Sequence, residues 1–254
     1  MASQDRVVVI TGGSSGIGLA MAKSFARNRD RIVILGRRED ALQSAATVVG
    51  SNCSWQRADV SQRGQVQAAV DSIVTQYKTI DALINNAGYS GFEGGASPDM
   101  PLDRAEEIWN KQIGINLTGA FLMSHAVAPH LRRPGGRIIN ISSDGALTGA
   151  NGLRLAGYAA AKAGLFGLTR SLALEYGPQG ITVNTIAPGF IPGTDMNGQL
   201  LPEEVIKSVA AQLPVRRAGR ADDIAAAALF LASPEAGFIT GELMNLNGGR
   251  VFGR

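Results

Sequence analysis

The chain has 254 residues, of which 45% are hydrophobic, and a formal net charge of +3. That is enough apolar material for a sizeable buried sheet, and the positive charge is too small and too scattered for nucleic acid or an anionic membrane to be the main partner. A single cysteine, Cys53, excludes an internal disulfide and suits a reducing, cytoplasmic compartment; Met1–Arg6 lacks the apolar core of a signal peptide, and no apolar run approaches the ~20 residues of a membrane span.

Short β-branched runs alternate with longer helical patterns. Arg6–Thr11 predicts a buried strand and Gly16–Arg27 a helix. Arg31–Gly36 predicts the second strand and Glu39–Val49 the second helix. A weak third strand at Ser54–Arg57 precedes a helix near Gln62–Tyr77. Ile80–Asn85 is the fourth strand, followed by a long helical stretch over Leu102–Leu131. Gly136–Ser142, a helix over Leu155–Tyr176 and a sixth strand at Ile181–Ala187 come next. Helices near Pro202–Gln212 and Ala221–Ala232 precede a last short strand at Leu243–Asn245.

Apolar runs with little alternation suit parallel strands covered on both faces. The expected fold is therefore α/β: one Rossmann-type, doubly wound parallel sheet of about seven strands, with helices on both faces. No linker or repeat divides residues 1–254, which read as a single dinucleotide-binding domain with a substrate lid around residues 190–215. Gly-rich segments at Gly88–Gly95 and Gly145–Gly152 follow the carboxyl ends of strands, where such sheets bind ligands.

The first strand runs into Thr11-Gly12-Gly13-Ser14-Ser15-Gly16-Ile17-Gly18, where a helix begins. Gly12 permits a tight turn, and Gly16 and Gly18 let backbone and helix approach a pyrophosphate. The helix N-terminus supplies free N–H groups and a positive dipole end. After the second strand comes Gly36-Arg37-Arg38. An acidic side chain there would accept from a ribose 2′-OH; a guanidinium instead suits a 2′-phosphate. NADP(H) is the favoured cofactor, with NAD(H) a possible second.

The spacing TGxxxGxG resembles the short-chain dehydrogenase/reductase family, in its branch of about 250 residues. Later motifs agree in order: Asp59-Val60, Asn85-Asn86-Ala87-Gly88, Asn116, Ser142-Ser143, Tyr158-Ala-Ala-Ala-Lys162 and Pro188-Gly189. The resemblance spans essentially the whole chain. It implies cofactor contacts at Gly12, Ser14, Ser15, Gly16, Ile17, Gly18, Arg37, Arg38, Asp59, Val60, Asn86, Ala87, Gly88, Tyr158, Lys162, Pro188, Gly189 and Ile191.

Tyr158 and Lys162, four apart on a helix, share one face. A nearby ammonium and an oxidised nicotinamide would favour tyrosinate and lower the tyrosine's pKa. Tyr158 could then pass a proton to a developing alkoxide, or take one in oxidation. By resemblance, Ser143 polarises the substrate oxygen, with Ser142 the neighbouring candidate; Lys162 holds the ribose; and Asn116 distorts the helix, so that a backbone carbonyl holds a water near the lysine. The segment from Ser143 to Tyr158 is about two residues longer than in many relatives.

The expected reaction is hydride transfer between NADP(H) and a small-molecule carbonyl or secondary alcohol. Phe190, Ile191, Met196 and Leu200, with Leu147, Leu153 and Leu155, would line a mostly apolar pocket. The pattern resembles 3-oxoacyl-carrier-protein reductases, but Gln179 stands where those enzymes often carry an arginine, so a carrier-linked or CoA thioester substrate is the alternative. A cofactor-binding scaffold without turnover would have lost Tyr158 or Lys162. His125 and His130 have no acidic cluster beside them, so no metal is expected. The segment Leu155–Tyr176 has only three charged side chains; a helix this apolar needs cover on more than one face, and a homotetramer is expected.

Overall fold

A computed structural model describes residues 6–91, 97–194 and 201–252. The expected lid residues Met196 and Leu200, and residues 92–95 of the Gly88–Gly95 loop, lie outside them. The strands are β1 (Val7–Thr11), β2 (Arg31–Gly36), β3 (Cys53–Arg57), β4 (Ala82–Asn85), β5 (Arg137–Ile141), β6 (Thr182–Pro188) and β7 (Leu243–Leu246). All pair in parallel, in the order β3-β2-β1-β4-β5-β6-β7. The order reverses direction between β1 and β4, which opens a crevice at their carboxyl ends.

The helices are α1 (Gly16–Arg27), α2 (Glu39–Val49), α3 (Arg63–Tyr77), α4 (Leu102–Ile113), α5 (Gly119–Val127), the short α6 (Gly145–Thr148), α7 (Ala156–Tyr176), α8 (Glu203–Gln212) and α9 (Ala221–Leu231). Strand residues alternate between two cores. Val7, Val9, Val33 and Leu35 pack toward α3, α5 and α7. Val8, Ile10, Ile32 and Ile34 pack toward α1, α2 and α9. Both faces of the central strands need apolar side chains, which is why β1 reads VVVIT with no polar alternation.

The long helical stretch is interrupted. Between α4 and α5 the chain makes a π-helical turn, Gly114–Thr118, and after α5 a short 3₁₀ turn over Ala128–His130. The π turn contains Asn116, whose side chain donates to the carbonyls of Gln112 and Tyr89, both at 2.8 Å, and accepts from Tyr89 N at 3.1 Å. Helix and post-β4 loop are thus tied together where the spiral widens. No helix among the described residues is long and apolar enough to cross a membrane.

Candidate active site

The crevice begins at the loop after β1. Gly12 and Gly16 take positive φ values of +65° and +50°, a region L side chains rarely adopt. A Cβ on Gly18 would lie 2.1 Å from the Gly12 carbonyl oxygen, and one on Gly12 would lie 2.9 Å from Ala87 Cα. The glycines therefore let the loop close on the start of α1 and on the segment after β4. Ser15 is the N-cap of α1, but its side chain makes no capping bond, so it leaves the first-turn amides of Gly16, Ile17 and Gly18 for an anion. Ser14 is half-buried beside them.

Asn86 Nδ2 donates to the carbonyls of Thr11 at 3.0 Å and Gly12 at 3.1 Å, and Thr11 Oγ1 accepts from the backbone of both Asn86 and Ala87. The Asn86 side chain thus clamps the glycine loop, while Gly88 beyond it is exposed. Asp59 caps its own turn, accepting from Ser61 N and Oγ. Val60 and Ile191 bury their side chains in the two cores, which leaves their backbones for a ligand. Gly189 passes so close to Asn247 that a Cβ would lie 2.6 Å from its Cα, directly after buried Pro188. Thr194 packs against Gly16, bringing the start of the expected lid onto the phosphate loop. At the end of β2, Arg37 and Arg38 are exposed, and a Cβ on Gly36 would meet only ordinary contacts, 3.4 Å from Leu42 and 3.8 Å from Ser14 Oγ. This cradle fits a dinucleotide with an anionic centre.

Across the crevice, Tyr158 and Lys162 are both buried on α7, 7% and 2% exposed. The Ser143 hydroxyl and the Tyr158 ring lie side by side against Gly145, 3.2 and 3.5 Å from the position a Cβ would take there, and the Ser143 hydroxyl favours the Tyr158 phenolate. Lys162 Nζ donates to the Ile141 carbonyl at 2.8 Å and lies 5.8 Å from the centre of the Tyr158 ring. The two serines separate in role: Ser142 Oγ donates to the Lys162 carbonyl at 2.7 Å and fixes α7 to β5, whereas Ser143 is the hydroxyl beside Tyr158. Leu155 packs beneath Tyr158, and Leu153 is exposed.

Burial governs both ionisations. It pushes the Tyr158 hydroxyl up to about 12, against the opposing effect of the Ser143 hydroxyl and reinforced by the charge of Asp144. The expectation of a lowered value is therefore reversed in the protein alone, because desolvating a phenolate outweighs its contacts. Burial also brings Lys162 down to about 8.

Two neighbours were not anticipated, and a third, Thr11, was read only as the start of the glycine motif. Asp144, next to Ser143, is a buried carboxylate ion-paired with Arg250 at 3.3 Å. Gln112, 2% exposed, donates to the Ser90 carbonyl at 2.6 Å and packs on Gly157. Thr11 orders the turn after β4. The one available signal was an acidic residue directly after the serine pair at a strand end. His125 stacks on Phe121, and among the described residues no group of histidine, cysteine or carboxylate side chains could hold a metal.

Comparison with known proteins matches this arrangement along the whole chain. Residues 12–250 fit a family model described as enoyl-(acyl carrier protein) reductase. The chain belongs to the short-chain dehydrogenase/reductase family. This oxidoreductase is 38% identical over 253 residues to the 3-oxoacyl-[acyl-carrier-protein] reductase FabG of Chlamydia muridarum, covering 96% of this chain and 97% of that one. It is 36% identical over 257 residues to the short-chain reductase protein NovJ of Streptomyces niveus, covering 98% and 95%. In three dimensions it matches a point variant of actinorhodin polyketide ketoreductase, whose crystal structure contains NADPH, with a TM-score of 0.86, 30% identity and 98% of both chains covered.

Proposed function

We propose that this member of the family transfers a hydride between NADP(H) and a small-molecule carbonyl or its secondary alcohol. The observation that carries this reading is the buried Tyr158 beside the Ser143 hydroxyl, with Lys162 one turn along the same helix. Two hydroxyls converge where one acceptor oxygen can receive both, which suits a carbonyl oxygen gaining charge. When bound, the reduced nicotinamide supplies the hydride. Tyr158, held protonated by burial, gives its proton to that oxygen; Ser143 polarises it; Lys162 keeps positive charge under the tyrosine and reaches the ribose. Asn116, through the π turn, presents a backbone carbonyl for a water that reloads Lys162.

The glycine loop from Gly12 to Gly18 holds the pyrophosphate, with Ser14, Ser15 and Ile17 alongside. Arg37 and Arg38 read the 2′-phosphate, and Gly36 leaves room for it; the NADPH in the ketoreductase crystal supports the same choice. NAD(H) is the weaker cofactor. Asp59, Val60, Ala87, Gly88, Pro188, Gly189 and Ile191 line the remaining length through backbone and turn. Residues 1–254 act as one domain, with residues 190–215 as the substrate lid.

The enzyme works as a homotetramer. Helix α7 exposes Ala156, Ala160, Gly167 and Leu174, with Arg170 and Glu175 beside them. Its single cysteine, Cys53, fits the cytoplasm. A second reading, a 3-oxoacyl thioester substrate, is favoured by the names of the FabG relatives. The test follows reduced-nicotinamide absorbance with NADPH and NADH against simple ketones and a 3-oxoacyl thioester. NADPH-dependent turnover supports the proposal, and the better substrate class separates the two readings. No oxidation of either cofactor by any carbonyl would refute it.

A further inference from the structure

Ser143 has one proton and more than one candidate for it. Its Oγ accepts from Gly145 N at 3.0 Å; the Tyr158 ring lies against the same glycine, and the carboxylate of the next residue, Asp144, is close enough for the Ser143 hydroxyl to favour its charged form. A proton given to Asp144 is not available to a substrate oxygen. Asp144 is 7% exposed and fixed in place, its N–H donating to the Pro188 carbonyl at 2.8 Å. Arg250 comes from the segment after β7, 106 residues along the chain, and sets Nη1 3.3 Å from Asp144 Oδ2. That segment is itself ordered by Asn247, which accepts from Gly249 N and donates to the Val251 carbonyl.

We propose that Asp144 and Arg250 form a positioning pair that directs the Ser143 proton: Arg250 draws the carboxylate's charge to itself and leaves the Ser143 hydroxyl to turn to the substrate oxygen. A buried carboxylate with no cation is the stronger acceptor, and it holds the serine proton. The pair thus tunes how strongly Ser143 polarises the substrate. This inference rests on the carbonyl-reductase reading above.

The ionisable groups facing Asp144 among the described residues are Arg250 from the C-terminal segment and Tyr158 from α7; the β6 end at Pro188–Gly189 brings none. Burial raises the Asp144 carboxyl, and Arg250 is the first of the groups opposing that rise, so removing Arg250 moves its titration further up. Below that titration Asp144 is neutral and no longer competes for the serine proton; above it, competition is full.

The experiment compares kcat and KM across pH for wild type, Arg250→Gln and Arg250→Gln with Asp144→Asn. Arg250→Gln is expected to lower kcat about tenfold at pH values above the Asp144 titration, the worth of one charged hydrogen bond, with little change in KM. The deficit shrinks as pH falls, and adding Asp144→Asn removes this pH dependence and recovers most of kcat. The ratio to wild type is read below about pH 8, where Tyr158 and Lys162 are protonated in every variant. A ratio flat with pH, or a double variant as slow as the single, would overturn the proposal. Carboxyl-carbon NMR of Asp144 in the cofactor-free protein gives a readout without turnover. Its midpoint should rise in Arg250→Gln and also in Ser143→Ala. Unmoved midpoints overturn the pairing whatever the substrate; shifted midpoints in a protein without reductase activity would instead sink the functional reading.

Discussion

Lys162 is the residue where burial and charge oppose each other most directly. Its Nζ is held by a backbone carbonyl with no carboxylate partner among the described residues, and desolvation brings its pKa to about 8. Burial lowers the pKa of a base, so the ammonium is present below about 8 and lost above it. The proposed roles of Lys162 need that charge. Carbonyl reduction, measured as kcat/KM, is therefore expected to fall as pH rises through about 8, although Tyr158 remains protonated there. Lys162→Arg keeps its charge at all working pH values, so the falling limb should move upward even if the overall rate drops. A limb that stays in place would assign it to another group. The direction of the Tyr158 shift was not legible in the sequence, where the spacing to Lys162 is visible and the depth of burial is not. Asp144 and Arg250 were missed for a related reason: their meeting depends on how the last residues fold back over the sheet, and no local pattern encodes that.

At the scale of elements, the β-branched runs and glycine punctuation located the strands to within a residue or two, because both cores demand apolar side chains on successive positions. The break between α4 and α5 carries no such signal, since apolar periodicity continues across it; only the resemblance pointed to Asn116. The loop between β1 and α1 makes two predictions. Gly18→Ala would press a Cβ onto the Gly12 carbonyl at 2.1 Å, backbone against backbone, so loop or helix must move. The expected cost is ~1–3 kcal/mol, read as a lowered melting temperature together with weakened cofactor binding by fluorescence titration. Unchanged binding would mean that the close approach does not shape the site. Beyond β2, Arg37→Ala should weaken NADP(H) about ten- to a hundredfold while sparing NAD(H), the loss of a charge-assisted hydrogen bond worth ~1.5–3 kcal/mol. Adding Gly36→Asp should shift preference toward NAD(H), since the new carboxylate can accept from a free 2′-OH. Equal losses with both cofactors would show that Arg37 does not read the phosphate.

For the whole molecule, the apolar surface that remains exposed makes its own prediction. Leu174 on α7 is 81% exposed, and Trp109 on α4 and Phe121 on α5 are each 45% exposed. α4 packs against α7, with Trp109 at the Gly157 end of α7 and Leu174 near its other end. Covering these side chains with copies of the chain would remove apolar surface from water. Sedimentation at micromolar concentration should show a tetramer, and Leu174→Glu should shift it to smaller species; a wild-type monomer would contradict the assembly. The central claim is that one buried hydroxyl moves the proton in a nicotinamide-dependent reaction, and it is tested most directly by single-turnover mixing of the NADPH-loaded protein with its best carbonyl substrate. Tyr158→Phe keeps the ring that packs on Leu155 and removes only the hydroxyl, so NADPH should bind about as in wild type while its oxidation slows roughly 10²–10⁴-fold, the usual contribution of a general acid. Oxidation at a near-wild-type rate in the Tyr158→Phe protein would contradict the account.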